Sequence, residues 1–285
     1  WAGVVNHRAV PAGTFGTAMS YEGAVDETTF VLGPALVGLV VAAYAAPAAM
    51  LLAAGLTVVF ATAFALHPTA LLVGHHEAVR DAVPRRADLL SLWLLTGMMF
   101  CIGLFFASVQ TGVTAIAIAA GSEGSAGLVY GAMGITSAIA GLLTAALPPR
   151  FTYPTRLVVF PAVLLLCVVP LLVLGASGSS SLGLLTAAVV LAGAAVAPTL
   201  ITGFYLGERA VPLSRVSWAM TVMASGVVLG YAAAALLAGL LADAHGSIGA
   251  FGVTFCGVAV AVALAAAGHR RYTRLLAGTE ELSSR

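Results

Sequence analysis

The sequence predicts an all-α polytopic membrane protein with eight transmembrane helices, on three observations. Of its 285 residues 61% are hydrophobic and only 8% charged, with a mean hydropathy of +1.06, whereas a soluble domain carries about 25% charged residues. The charged residues divide the chain into apolar stretches long enough to cross a bilayer, which takes about 20 residues per helix. Finally, all twelve basic residues are Arg, and an eight-helix count places every one of them on the same side of the membrane. Too few charges remain to cover a wetted surface, and with a net charge of +1 and no Lys there is no basic tract for nucleic acid.

Taken in order, the predicted spans are 18–43, 47–67, 89–111, 125–147, 157–175, 183–204, 216–242 and 249–268. The charge-free stretches 28–76 and 157–207 each have room for two helices, divided near Tyr44–Pro47 and at Gly175-Ala176-Ser177-Gly178. The stretches 89–122, 124–149, 216–242 and 244–269 hold one each. Arg8 precedes the first span, Arg80, Arg85 and Arg86 follow the second, and Arg150 and Arg156 follow the fourth. Arg209 and Arg215 follow the sixth, and Arg270, Arg271, Arg274 and Arg285 follow the eighth. The opposite loops carry only Glu123 and Asp243. The positive-inside rule then puts both termini and these Arg on the cytoplasmic side of the membrane. Cys101, Cys167 and Cys256 are an odd, scattered set inside apolar runs and read as packing residues. The chain starts at Trp1 without a signal-peptide pattern, so the N-terminus reads as cut.

Self-similarity adds an internal repeat. RAVPAGTFGTAM at 8–19 and RAVPLSRVSWAM at 209–220 share six of twelve residues, and the same offset pairs Gly38-Leu39 with Gly239-Leu240. The copies precede spans one and seven, as in a parallel repeat of six helices. Polar side chains are also sorted by span. The second, fifth and eighth have few or none and are expected to face lipid. The first, third, fourth and seventh carry Glu22, Asp26 and Glu27; Ser108, Gln110 and Thr111; Tyr130, Thr136 and Ser137; and Ser217, Thr221 and Ser225. These are expected to face a bundle interior, because unpaired polar groups in hydrocarbon are costly.

The chain resembles the major facilitator superfamily, in particular actinobacterial members of exporter type. The segments that carry the resemblance are YEGAVDETTFVLGPALVG at 21–38, LFFASVQTG at 104–112, GLVYGAMGITSAIAGL at 127–142, and GERAVPLSRVSWAMT with the helix that follows it. They are similar, in order, to helices five, seven, eight and eleven of a twelve-helix member. The resemblance implies a partial facilitator fold: 1–67 as the last two helices of an N-terminal bundle, 68–88 as the central cytoplasmic loop, 89–268 as the complete C-terminal six-helix bundle, and 269–285 as a cytoplasmic tail. It implies a secondary transporter, with proton-coupled export of a small solute by alternating access, no cofactor, and the proton gradient as energy source. Two departures stand out. GLLTAALPPRFTYPTR at 141–156 has Arg150 and Arg156 but not the family motif's Asp, and Thr29 stands where the antiporter signature ending in Gly33-Pro34 and Gly38 has an upstream glycine.

Glu22, Asp26 and Glu27 are the proton-coupling candidates. Glu22 and Asp26 share a helix face at i, i+4, and two carboxylates in a low-dielectric cavity do not both ionise easily. The alternative is an acidic helix end satisfied by Arg side chains. Ser108, Gln110, Thr111, Tyr130, Trp218 and Thr221 are candidates for a substrate cavity, with helix bridging and interfacial anchoring as the alternatives. Gly33 and Pro34 interrupt a helix ladder, and Gly38 and Gly230 allow close packing. His75-His76-Glu77 lacks a supporting ligand cluster. Gly175-Ala176-Ser177-Gly178 resembles an intramembrane protease motif only superficially, with no mid-helix His to activate Ser177, so no enzyme is expected. The other functional reading is a truncated non-transporting membrane fragment or a partner-dependent subunit, since four helices of a first half do not occur in this sequence.

Overall fold

The computed structural model describes residues 29, 33, 36–41, 43–68, 87–144, 146–148 and 150–283. Among the described residues seven long helices follow one another: α1 (Ala46–Leu66), α2 (Leu89–Ala119), α3 (Ser125–Thr144), α4 (Tyr153–Ser177), α5 (Leu182–Arg209), α6 (Val216–His245) and α7 (Ser247–Ser283), with a 3-10 turn at Leu213–Arg215 before α6. They correspond to the second to eighth predicted spans. All seven are long and apolar enough to cross a membrane. Among the described residues there is no strand. Of the first predicted span, 36–41 are helical; Glu22, Asp26, Glu27 and Pro34 lie outside the described residues, as do His75, His76 and Glu77.

Local chemistry sets most of the boundaries. Pro47 opens α1, its missing donor falling among amides that have no helical partner anyway. Asp88 caps α2 by accepting the Ser91 amide at 3.1 Å, and Ser181 caps α5 by accepting that of Leu184. Gly178 (φ 63°) ends α4 in the left-handed region, and Gly246 (φ 70°) makes the one-residue reversal between α6 and α7, conformations a side chain would strain.

Two helices outrun the sequence reading. The predicted end of the third span at Thr111 is corrected to Ala119: Thr111 and Thr114 return their hydroxyls to the carbonyls of Ala107 and Gln110 at 2.9 Å, so their polarity is satisfied inside the helix and does not break it. The 31 residues of α2 are about 47 Å long, well beyond a hydrocarbon core of about 30 Å. α7 continues through the Arg-rich segment to Ser283 as one helix.

Helices α2 to α7 form one bundle, with α2 packed against α6, α7, α5 and α3. The pairings have an exchange symmetry. α2 packs on α6 and α7, while α5 packs on α3 and α4; α4 packs on α7, and α2 meets α5. Swapping the triplet α2, α3, α4 for α5, α6, α7 therefore leaves these pairings unchanged. Because three crossings reverse the chain direction, the two triplets run with opposite topology across the layer.

The close crossings are glycine-mediated. A methyl group at Gly230 would land on the carbonyl of Phe100, one at Gly226 on that of Thr96, and one at Gly103 on that of Val227, so α2 and α6 meet backbone to backbone. The exchanged pair behaves alike: a methyl at Gly193 of α5 would strike the Met133 carbonyl and Thr136 hydroxyl of α3. There Thr136 also donates to Val190 O at 2.9 Å. Ser137 accepts the Ala197 amide at 3.1 Å, just before Pro198 interrupts the α5 ladder.

The expected sorting of lipid-facing helices is corrected in part. α1 is almost wholly exposed, but the most apolar stretches of α4 and α7 are 39% buried each, against 28% for α3 and 22% for α6. Absence of polar side chains thus does not select the outer helices: α4 and α7 pack on each other and behind α5 and α2, while the polar stripe of α6 lies on an open face. Cys101 and Cys167 are buried among apolar neighbours.

Candidate functional site

At the end of the bundle remote from the Arg residues, the 36–41 segment, the last turns of α2 and the start of α3 enclose a pocket of about 320 Å3. Gly38 fixes its width. A methyl there would come to 3.3 Å from the Gly124 carbonyl and 3.5 Å from Cα of Gly127, so this helical segment touches the α2–α3 loop and α3 through bare backbone. Gln110 and Thr114 form the α2 wall, Tyr130 the α3 wall, and the exposed carboxylate of Glu123 stands in the loop at the rim.

The pocket's hydrogen bonding is partly committed. Tyr231 of α6 donates its hydroxyl to Oε1 of Gln110, so the Gln110 carbonyl is occupied and its amide N–H groups remain as the donors. Tyr130 is buried and donates to Phe106 O at 3.4 Å, leaving its oxygen lone pairs as acceptors. Thr114 spends its proton on the Gln110 backbone carbonyl. The set can hold a small solute by a donor from Gln110, acceptors at Tyr130 and Thr114, and a carboxylate at the rim, inside otherwise apolar walls.

The remaining predicted residues fall elsewhere. Ser108 is fully buried and shares a hydrogen bond of 2.8 Å with Thr254 of α7, a bridge between helices that does not line the pocket. Thr111 bonds within its own helix and does not line the pocket. Trp218 and Thr221 are exposed on the open face of α6, in one stripe with Ser217 and Ser225 at helical spacing. Thr221 returns its hydroxyl to Ser217 O. Gly33 is helical, and a methyl there would meet nothing within 4 Å.

No family model, curated protein or solved structure matches this chain.

The Arg-bearing end holds two assemblies that sequence reasoning missed as such. Arg156 is buried, donating to Phe151 O at 2.6 Å and Leu147 O at 3.3 Å, with its guanidinium 4.8 Å from the Tyr153 ring centroid. Tyr153 stacks on Tyr205 at 3.8 Å, and the Arg209 guanidinium lies 5.0 Å from the Tyr205 ring centroid. Since stacked rings leave no room between them, the two cations cap opposite faces, and the four-layer stack ties the start of α4 to the end of α5. Arg150 and Arg215 are exposed.

The second assembly joins α2, α5 and α7. Asp88 accepts from Arg271 at 2.8 Å and from the Ser91 hydroxyl at 2.7 Å, and its amide donates to Ala210 O at 2.8 Å. Ala210 and Val211, inside the RAVP repeat, are buried beneath the start of α2. Partial burial pushes the Asp88 carboxyl up, but the Ser91 and Arg271 hydrogen bonds outweigh it and hold it below its usual value of 3.8. The signal for this strap was the i, i+3 pair Asp88 and Ser91 ahead of an apolar run, a capping pattern. Among the described residues no group of three or more His, Cys, Asp or Glu could hold a metal.

Proposed function

We propose that the chain forms the solute-handling part of a secondary transporter of the major facilitator superfamily, exporting a small solute in exchange for protons by alternating access across a bacterial inner membrane with both termini inside. The observation that carries this reading is the pocket lined by Gln110 and Tyr130: a small polar cavity at a meeting of helices in an otherwise apolar bundle, with a separate exposed polar stripe along the first turns of α6. A polar face within membrane-spanning helices is tolerated where it lines a watery path. The exchange of helix triplets also supports it, since inverted repeats let two related halves of a bundle alternate their openings around a fixed site.

On this reading Gln110 and Tyr130 orient the solute and Glu123 favours a positively charged one at the rim. Glu22 and Asp26 carry the proton, and Arg150, Arg156, Arg209 and Arg215 hold the cytoplasmic face. The test is flux in proteoliposomes with an internal pH dye. Addition of a transported solute is expected to move protons in the opposite direction, and the Glu22→Gln/Asp26→Asn double variant is expected to abolish that coupling. No solute-dependent proton movement with the intact chain, across a panel of small organic cations and neutral solutes, overturns the reading.

A second reading, a partner-dependent subunit or non-transporting fragment, draws on α1. Phe60, Phe64 and Leu66 are exposed there and the helix packs little against the bundle of α2 to α7. Flux that appears only when a second membrane protein is co-reconstituted would select it.

A further inference from the structure

An apolar groove of about 750 Å3, distinct from the polar pocket, runs between α2, α6 and α7, with Gly97, Leu104, Leu237, Gly252 and Leu264 among its walls. Its α7 wall, from Ile248 to Leu264, is about 24 Å long at the helical rise. The lining is apolar along this whole length, which suits a hydrocarbon chain lying in the groove.

Gly252 gives the second observation. Glycine weakens a helix by about 1 kcal/mol relative to Ala, yet a methyl at Gly252 would meet nothing within 4 Å. Among the described residues no neighbour requires the missing side chain, and Gly252 itself lines the groove. At Gly249, by contrast, a methyl would strike the Leu241 carbonyl, so that glycine serves the α6–α7 contact.

The third observation is the charge at one end. Arg271 lies seven residues beyond Leu264, two turns along the same face of α7. It is half-exposed and steadied by Asp88, and Arg274 is exposed one turn further on. Exposed Trp93 stands one turn from Gly97 on α2, an aromatic of the kind that lies at head-group level.

We propose that this groove binds an anionic phospholipid, one acyl chain lying along Gly252 and Leu264 and the phosphate held by Arg271 and Arg274. Basic side chains at the end of an apolar groove between membrane helices match both parts of such a molecule. Arg271 is oriented by its bond to Asp88 and keeps donors for the phosphate.

The test uses the full chain in mild detergent with an equal mixture of phosphatidylglycerol and phosphatidylcholine, read by native mass spectrometry. The wild type is expected to retain one phosphatidylglycerol per chain, at least tenfold over phosphatidylcholine. Gly252→Phe fills the groove without meeting protein atoms at its Cβ and is expected to lower retention of both lipids at least tenfold. Arg274→Gln is expected to erase the head-group preference while leaving acyl binding. Unchanged retention in a helical Gly252→Phe variant overturns the proposal. So does a wild-type dimer that this substitution dissolves, which would make a second copy the occupant. Should Gly252→Phe not fold, Arg274→Gln decides: an undiminished preference for phosphatidylglycerol refutes the assignment.

Discussion

Replacing Gly230 by Ala and, separately, Gly239 by Ala on the same helix is expected to move stability in opposite directions. At Gly230 the new methyl meets the Phe100 carbonyl; at Gly239 it meets nothing within 4 Å. Ala is the better helix former by about 1 kcal/mol, so Gly239→Ala should stabilise by up to that amount. At Gly230 the same gain is set against overpacking of about 1–3 kcal/mol. Gly230 also precedes Tyr231, so pushing α6 from α2 is expected to break the Tyr231–Gln110 hydrogen bond, about 1 kcal/mol more. The net is a destabilisation of about 2 kcal/mol, which leaves the two variants ~3 kcal/mol apart. Reversible unfolding in mixed micelles, followed by circular dichroism, measures the difference. If both variants shift in the same direction, the backbone-to-backbone crossing of α2 and α6 is wrong, because propensity alone gives the two positions one sign.

Three further outcomes are expected. Arg156→Lys should destabilise nearly as much as Arg156→Ala, by about 2–3 kcal/mol in the same unfolding assay, because an ammonium cannot reach the Phe151 and Leu147 carbonyls and cover the Tyr153 ring together. For Asp88, Asn keeps the cap and removes the ion pair, so Asp88→Asn should change stability at neutral pH by less than ~1 kcal/mol. The carboxyl is held below 3.8, so its contribution is fully present above that value and lost as pH falls through the lower folded value. Wild type and Asp88→Asn should therefore converge in stability only in strong acid, and convergence near pH 6 would contradict the assignment. Finally, a double-mutant cycle on Ser108→Ala and Thr254→Ala should give a coupling of about 0.6 kcal/mol, the size found for hydrogen bonds between membrane helices, whereas additive effects would show that the two hydroxyls do not meet.

Much of the helix layout was legible because it follows from charge spacing alone: seven of the eight predicted spans coincide with described helices. What charge spacing misses is polarity that a helix absorbs internally. The predicted third span ends at Thr111, yet the hydroxyls of Thr111 and Thr114 bond one turn back and α2 continues. The same ambiguity blurred the site. Ser108, Gln110 and Thr111 are near neighbours in sequence and equally polar, but they point in three directions, to Thr254, to the pocket and back to their own helix. Only the rotation of α2 against α7 and α6 separates them, and that rotation is set by Gly103, Gly112 and Gly257, whose contacts lie far away in sequence. Tyr231 could not have been singled out for this reason: its partner is on another helix.

The repeat shows where sequence similarity and packing part company. The resemblance of 8–19 to 209–220 has an offset of six spans, which preserves orientation, so a loop and its Arg can be kept in both copies. The exchange seen in the packing has an offset of three, which inverts it. A residue at the Arg-bearing end of one triplet then corresponds to one at the opposite end of the other, where the positive-inside rule selects against the same side chain. What survives inversion is what depends only on the middle of the helix. Gly103 against Val227 and Gly193 against Met133 are such a pair, each a glycine of the first helix in its triplet resting on a carbonyl of the second helix of the other. A glycine pressed on a carbonyl is indifferent to which end faces the cytoplasm, so the crossing can be kept while the sequence around it changes.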